Sequence, residues 1–203
     1  MGNLTEAIKH LLIINILMYF GTVAFMGDSR FILAMYYPAS DFFRPYQIVT
    51  HMFMHADLGH LAFNMLTLFF LGTWVERVWG TKRFVFFYLF SGLGAALTHL
   101  LFMYYEVNYL GVTSAINIPV LGASGAVYGV LVAFAVLFPN HRLMLLFPPI
   151  PIKAKYLALG LIAIDLFSGL SNTGSNIAHF AHLGGALFGY LLIRYWYKFG
   201  TRL

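Results

Sequence analysis

Six apolar stretches, separated by polar or Gly/Pro-containing breaks, run through this chain. A membrane-spanning helix needs about 20 mainly apolar residues, since a helix satisfies its own backbone hydrogen bonds within the hydrocarbon layer. The first stretch follows Lys9 without a small-residue cleavage site, so we expect a retained helix rather than a signal peptide. The pattern predicts six helices, at about 11–26, 58–75, 84–105, 124–138, 155–171 and 178–197.

The composition agrees with a membrane protein. Hydrophobic residues make up 61% of the chain and charged residues only 9%, and the mean hydropathy is +0.79. Because no linker is long enough to divide the chain, we expect one six-helix transmembrane domain over residues 1–203. The absence of cysteine excludes disulfides and thiolate chemistry.

The basic residues predict an orientation. If the N-terminus is cytoplasmic, the outer loops carry only Arg30 and Arg44, and the other ten basic residues fall on the inner side. The positive-inside rule then predicts that both termini are cytoplasmic. We expect an integral protein of a prokaryotic inner membrane, with its active site open to the outer side. The net charge of +5 fits attraction to anionic lipids. Without a clustered basic groove, it does not favour nucleic-acid binding. The inner residues are Lys9, Arg77, Lys82, Arg83, Arg142, Lys153, Lys155, Arg194, Lys198 and Arg202.

A serine between glycines stands where the fourth stretch begins. The sequence places Ser124 at or near a helix start, where its side chain can cap free backbone amides. The same amides and the helix dipole stabilise a developing negative charge, as acyl transfer through a serine requires. The alternative is packing alone, because Gly125 and Gly129 form a small-xxx-small pattern common between membrane helices.

Histidines cluster before and within the second stretch. Polar groups at membrane depth are costly and by default mark a functional site. His60 and Asn64 are four residues apart, so they share a helix face from which both can donate hydrogen bonds to an oxyanion. For His51 and His55, packing beneath the site is a sufficient role. A zinc site is the alternative, but the glutamate of a His-Glu-xx-His motif is missing and only Asp57 supplies a nearby carboxylate, so we expect no metal.

The sixth stretch carries a histidine beside a glycine pair. His182, Gly185 and Gly189 share one helix face, and the glycines let another helix approach closely. Since the fourth stretch offers a matching glycine pair, the spacing favours contact between Ser124 and His182. A histidine that only packs is the alternative.

One acidic residue, Asp165, lies within the fifth stretch. Its expected depth permits contact with His182, which leaves a Ser-His-Asp triad open. A lone intramembrane acid can instead pair with another interior polar group. We expect a structural hydrogen bond for Asp165.

Together these motifs resemble the rhomboid family of intramembrane serine proteases. The similarity covers nearly the whole chain as a bare six-helix core. In the first loop, Tyr46-Gln47 stands where many family members have Trp-Arg. The contacts that hold this loop in place are therefore in question. The family's motifs occur here in order as His51-xxx-His55-xxxx-His60-xxx-Asn64, Gly122-Ala-Ser124-Gly125-xx-Tyr128 and Ala181-His182-xx-Gly185-xxx-Gly189.

The resemblance implies a Ser124–His182 dyad that works without a metal or organic cofactor. It implies an oxyanion site formed by His60, Asn64 and the Ser124 amide, with Tyr128 packed beside His182. It also implies transmembrane-helix protein substrates within the lipid bilayer, cut near their outer ends, and no obligate protein partner. Further residues would support this site, namely His55, Gly122, Gly125, Gly185 and Gly189.

Two other classes of protein remain open. A catalytically inactive rhomboid-like protein that binds membrane proteins would be expected to lose Ser124 or His182, and this chain has both. A small transporter or metal-binding membrane protein would be expected to spread its polar residues along a pathway or to show an internal repeat. Here the polar residues cluster toward the expected outer half.

Overall fold

A computed structural model describes residues 4–145, 148–171 and 177–199. Each of the six predicted stretches coincides with a helix whose ends lie within a few residues of those expected. The chain is therefore an all-α membrane bundle. The helices are α1 Glu6–Met26, α2 Leu58–Trp79, α3 Thr81–Tyr109, α4 Ser124–Leu137, α5 Ala154–Leu170 and α6 Ile177–Lys198.

The number of membrane crossings stays a prediction. Among the described residues, α1, α2 and α3 are long and apolar enough to cross a bilayer, and α4 is a shorter apolar helix of 14 residues. At about 1.5 Å per residue, 14 residues reach about 21 Å, which is less than a hydrocarbon core of about 30 Å. The short α4 thus agrees with an end that stops inside the protein.

The end of α2 holds the beginning of α1. Glu76 is buried, and its carboxylate oxygens accept hydrogen bonds from the backbone N–H groups of Ala7 at 2.8 Å and Ile8 at 3.0 Å. It also accepts from the Thr81 hydroxyl at 2.8 Å. Since the first amides of a helix have no partner within it, Glu76 satisfies them and joins α1 to the α2–α3 turn. The sequence alone did not point to this role.

Helix α2 is not uniform. It runs as an α-helix over Leu58–Thr67, passes through a π-helical turn over Leu68–Gly72, and returns to α-helix over Thr73–Trp79. The Asp57 side chain caps its start by accepting from the His60 N–H at 2.8 Å. The carboxylate that sequence analysis considered as a metal ligand therefore fixes the first turn of α2.

Gln47 ties the first loop together. It is fully buried, and its side-chain amide donates to the carbonyl oxygens of Ile32 at 2.8 Å and Phe42 at 3.0 Å. Its side-chain oxygen accepts from the Arg44 N–H at 3.0 Å. Gln47 thus holds the first loop together at a position where this chain differs from the Trp-Arg pair of many family members.

Two backbone pairings organise the segments that connect the helices. Met35 and Val120 exchange backbone hydrogen bonds of 2.9 and 2.8 Å, which join the first loop to the segment leading into α4. Between α4 and α5, strands β1 (Arg142–Met144) and β2 (Pro151–Lys153) form an antiparallel hairpin.

The core lies where α3, α4 and α6 meet. Phe84, Phe87 and Tyr88 of α3 are fully buried. A Cβ added at Gly185 of α6 would overlap the carbonyl group of Gly125 in α4. The two backbones therefore touch, as the matched glycine faces of the sequence predict.

We expect Gly185→Ala to destabilise the bundle, because its methyl group has no space beside the Gly125 carbonyl. Overpacking of this kind costs about 1–3 kcal/mol. Gly160→Ala in α5 is the matched control, since nothing lies within 4 Å of an added Cβ there. A helix-interior alanine at that position should stabilise by up to about 1 kcal/mol. Thermal unfolding of the purified proteins in detergent tests the pair, and equal effects would contradict the proposed backbone contact.

Candidate active site

Ser124 lies at the first turn of α4. Gly122, two residues before Ser124, has φ +135°, and an added Cβ there would lie 2.8 Å from the His60 ring. Its N–H donates to the His51 carbonyl oxygen at 2.9 Å. Only glycine fits this turn, because it combines a positive φ with the close approach of His60. The turn therefore brings Ser124 and His60 into one site.

Ser124 and His182 are hydrogen-bonded. His182 Nε2 lies 2.8 Å from Ser124 Oγ, although the two residues are on different helices and 58 positions apart. Ala123 occupies the N-cap position of α4, and Ser124 is the first residue of the helix. The Tyr128 ring stacks on the His182 ring, with centroids 4.4 Å apart and planes 9° apart. This stacking fixes the plane of the imidazole, so that Nε2 points at the hydroxyl.

Asp165 lies on the other side of His182. The Asp165 carboxylate is buried, and its oxygens lie 3.4 and 3.3 Å from His182 Nδ1. A shorter hydrogen bond of 2.6 Å joins Asp165 to His179 Nδ1. Asp165 thus makes the structural hydrogen bond expected from its burial, and it also contacts the candidate base. Sequence analysis assigned no role to His179, although its three-residue spacing from His182 places both on one face of α6.

The structure places the two candidate oxyanion residues differently. The His60 ring lines the same cavity as Ser124 and His182. Asn64 is buried one turn further along α2, and its amide donates to the His60 carbonyl oxygen at 3.1 Å. The side chain of Asn64 is not among those that line the cavity. Of the two, His60 is therefore the one positioned to meet a group bound at Ser124.

His51 lines the same cavity as Ser124, and His55 packs against the His60 ring. The His55 ring meets the His60 ring edge to face, with centroids 5.0 Å apart. His51 Nδ1 donates to the Gln47 carbonyl oxygen at 2.9 Å. Burial lowers the pKa of His51 to about 4, so this ring is neutral at physiological pH. Both histidines hold the loop and the first turn of α2 in place.

The cavity at Ser124 has a volume of about 200 Å³. A water molecule occupies about 30 Å³ in the liquid, so the cavity has room for several. Apolar side chains from the first loop and α3 form much of its wall, including Met35, Met52 and Ala95. The hydroxyl of Ser124 and the rings of His60 and His182 thus face a partly open, mostly apolar cavity.

One group among residues 4–145, 148–171 and 177–199 has the spacing of a metal site. Its members are Asp165, His179 and His182, whose ligand atoms lie within 4.8 Å of one another. These residues are not His51, His55 and Asp57, which the sequence analysis considered as a possible zinc site. The 2.6 Å separation of His179 Nδ1 and Asp165 Oδ1 is the distance of a strong hydrogen bond from the imidazole to the carboxylate.

Comparison with known proteins shows the family. The model of the Rhomboid domain matches residues 43–199. The chain is 33% identical over 202 residues to Rhomboid protease AarA of Providencia stuartii, which covers 90% of this chain and 69% of that protein.

Two further relatives match shorter regions. Rhomboid protein 1, mitochondrial, of Saccharomyces cerevisiae is 33% identical over 144 residues, covering 71% of this chain and 40% of that protein. Rhomboid protease GluP of Bacillus subtilis is 30% identical over 146 residues, covering 71% of this chain and 25% of that protein. The chain thus spans less than half the length of these two relatives. Because the domain model covers well over half of the sequence, this chain belongs to the rhomboid family.

Proposed function

We propose that this protein is an intramembrane serine endopeptidase that cleaves transmembrane segments of other membrane proteins. The observation that carries the proposal is the 2.8 Å hydrogen bond between Ser124 Oγ and His182 Nε2 inside an apolar helical bundle. A hydroxyl is activated as a nucleophile when a base lies at this distance. Relatives from Providencia stuartii and Bacillus subtilis that are named rhomboid proteases support it.

The mechanism is acyl transfer through a serine. His182 Nε2 takes the proton from Ser124 Oγ as that oxygen attacks the peptide carbonyl carbon. His182 then gives the proton to the leaving amine, and an acyl-enzyme remains on Ser124. A water molecule then attacks the ester while His182 takes its proton. The bond between the acyl carbon and Ser124 Oγ breaks, His182 returns the proton to Ser124 Oγ, and the second product leaves with a new carboxyl group. The residues of the chain suffice for every proton transfer.

The start of α4 supports the developing oxyanion. The first helical hydrogen bond of α4 runs from Val127 N–H to Ala123 O at 3.0 Å, so the Ser124 N–H precedes it. Free amides at a helix start donate to an anion and lie at the positive end of the helix dipole. His60 supplies a second donor from across the Gly122 turn. One N–H of the Asn64 amide is engaged by the His60 carbonyl oxygen, so only its second N–H is left to donate.

The substrate must unwind before it is cut. The backbone of a helix is hydrogen-bonded internally, and its carbonyl carbons are closed to attack. A transmembrane substrate therefore presents an extended segment to Ser124, and helix-breaking residues near the scissile bond favour this state.

We expect Ser124→Ala and His182→Ala each to reduce cleavage of a reporter transmembrane substrate to background. Each change removes one partner of the hydrogen bond that activates the nucleophile. Both proteins should unfold in detergent at nearly the parent temperature, which serves as the control. Cleavage by purified Ser124→Ala at the parent rate would exclude the serine mechanism. Cleavage by neither the parent nor the variants, with substrate still bound, would favour the inactive binding protein.

For the oxyanion site, we expect His60→Ala to slow cleavage by about 10²–10³-fold, the usual cost of removing one oxyanion donor. Asn64→Ala should cost less, since its amide is engaged by the His60 carbonyl oxygen. Initial rates at saturating substrate measure both, alongside thermal unfolding. A larger loss in Asn64→Ala than in His60→Ala would reverse the assignment made from the geometry.

The charge distribution supports an orientation with both termini in the cytoplasm and the α3–α4 loop outside. Because the chain has no cysteine, single cysteines report on each side without background. In intact cells, a membrane-impermeant maleimide should label Ser114→Cys in that loop and leave Met144→Cys in β1 unlabelled. Both residues are exposed in the structure. The reverse labelling pattern would place the Ser124 end of α4 on the cytoplasmic side.

A further inference from the structure

A carboxylate and a second histidine extend the hydrogen-bonded chain beyond the Ser124–His182 pair. From Ser124 Oγ, the contacts run 2.8 Å to His182 Nε2, then 3.3–3.4 Å from His182 Nδ1 to the Asp165 carboxylate. The chain ends with 2.6 Å between Asp165 and His179 Nδ1. Resting on the proposed protease function, we propose that Asp165 is a positioning residue that sets the tautomer of His182, and that His179 holds Asp165 in place.

The tautomer of His182 depends on which hydrogen-bonding groups face its two ring nitrogens. A neutral imidazole carries one N–H, and an ionised carboxylate can only accept a hydrogen bond. With Asp165 facing Nδ1 of His182, the hydrogen is favoured on Nδ1 and the lone pair is left on Nε2. That lone pair faces the Ser124 hydroxyl. Only this tautomer can take the proton from Ser124.

Two histidines face the Asp165 carboxylate. Only 5% of Asp165 is exposed, and among the described residues its ion-pair partners are His179 and His182. When Ser124 transfers its proton, His182 becomes an imidazolium beside this carboxylate. The carboxylate thus stabilises the charge that forms during the reaction.

His179 has a distinct part in this arrangement. Its bond to Asp165 is the shorter of the two histidine contacts, and it comes from one turn earlier on the same face of α6. The two bonds together fix both the position and the rotation of the carboxylate. Loss of the His179 donor leaves Asp165 free to turn away from His182.

The test replaces the carboxylate by its isosteric amide in the full chain. In Asp165→Asn, the amide oxygen can still accept from His179 while the amide N–H₂ faces His182 Nδ1. An N–H donor at that position favours hydrogen on Nε2, which is the wrong tautomer. We expect kcat to fall at least about tenfold and up to the 10⁴-fold seen for Asp-to-Asn in a Ser-His-Asp triad, with KM and unfolding temperature nearly unchanged. Asp165→Glu should restore part of the rate, and Glu106→Gln on α3 is the matched acid-to-amide control.

Tautomers are read directly by ¹⁵N NMR of histidine-labelled protein, with the His182 signal assigned by its loss in His182→Gln. The parent should carry hydrogen on Nδ1 and Asp165→Asn on Nε2. This readout does not depend on cleavage, so a tautomer switch in a protein without protease activity would defeat the proposed function and uphold the role of Asp165. An active parent whose Asp165→Asn variant keeps both its rate and its tautomer would overturn the inference.

A second pair of variants serves if Asp165→Asn does not fold. His179→Asn keeps an N–H donor near the position of Nδ1, whereas His179→Ala removes it. We expect kcat to fall in His179→Ala and to recover in His179→Asn, with the same KM in both. Equal rates in the two variants would show that His179 does not act through Asp165.

Discussion

The contact between the backbones of α4 and α6 is the constraint on which the site depends. In lipid no hydrophobic force drives helices together, so close packing of small residues holds them. At Gly185 even one methyl group would overlap the Gly125 carbonyl. This crossing brings a serine and a histidine 58 positions apart to within 2.8 Å. Bulkier residues at the crossing would leave the same two side chains too far apart to share a proton.

Three polar side chains support the frame by accepting or donating hydrogen bonds to backbone groups. Glu76 accepts from the first amides of α1, Gln47 holds the first loop, and Asp57 caps α2. Glu76 and Gln47 are buried, where an unsatisfied backbone amide or carbonyl is costly, whereas Asp57 makes its cap at the exposed start of α2. The same bonds place functional groups, since the Asp57 cap fixes the turn that carries His60. Polar residues are rare in a chain of this kind, and each of them suggests a function. Some of them hold the fold, and others reach the cavity.

The geometry of Asp165, His179 and His182 is compatible with more than one role for the carboxylate. A carboxylate between two histidines is compatible with a structural hydrogen bond, a metal site or a third member of the proton-transfer chain. The 2.6 Å bond to His179 and the 3.3–3.4 Å approach to His182 favour hydrogen bonding over metal ligation. Membership in the rhomboid family, shown by the domain match over residues 43–199, does not by itself decide how this acid acts.

The sequence by itself determined the six helices, because the length of an apolar run is set by the thickness of the bilayer. It also predicted the approach of Ser124 to His182, since glycines spaced at helical intervals mark the faces that can touch. Only the tertiary structure decided which polar groups pair. Glu76 and Ala7 are 69 positions apart, and no local pattern encodes a bond between them. Asn64 and His60 share a helix face, yet the rotamer that turns the Asn64 amide to its own helix depends on the surrounding packing. The His179–Asp165–His182 chain likewise requires the rotation of α5 against α6, which is fixed by side-chain packing between helices and not by the periodicity of either one.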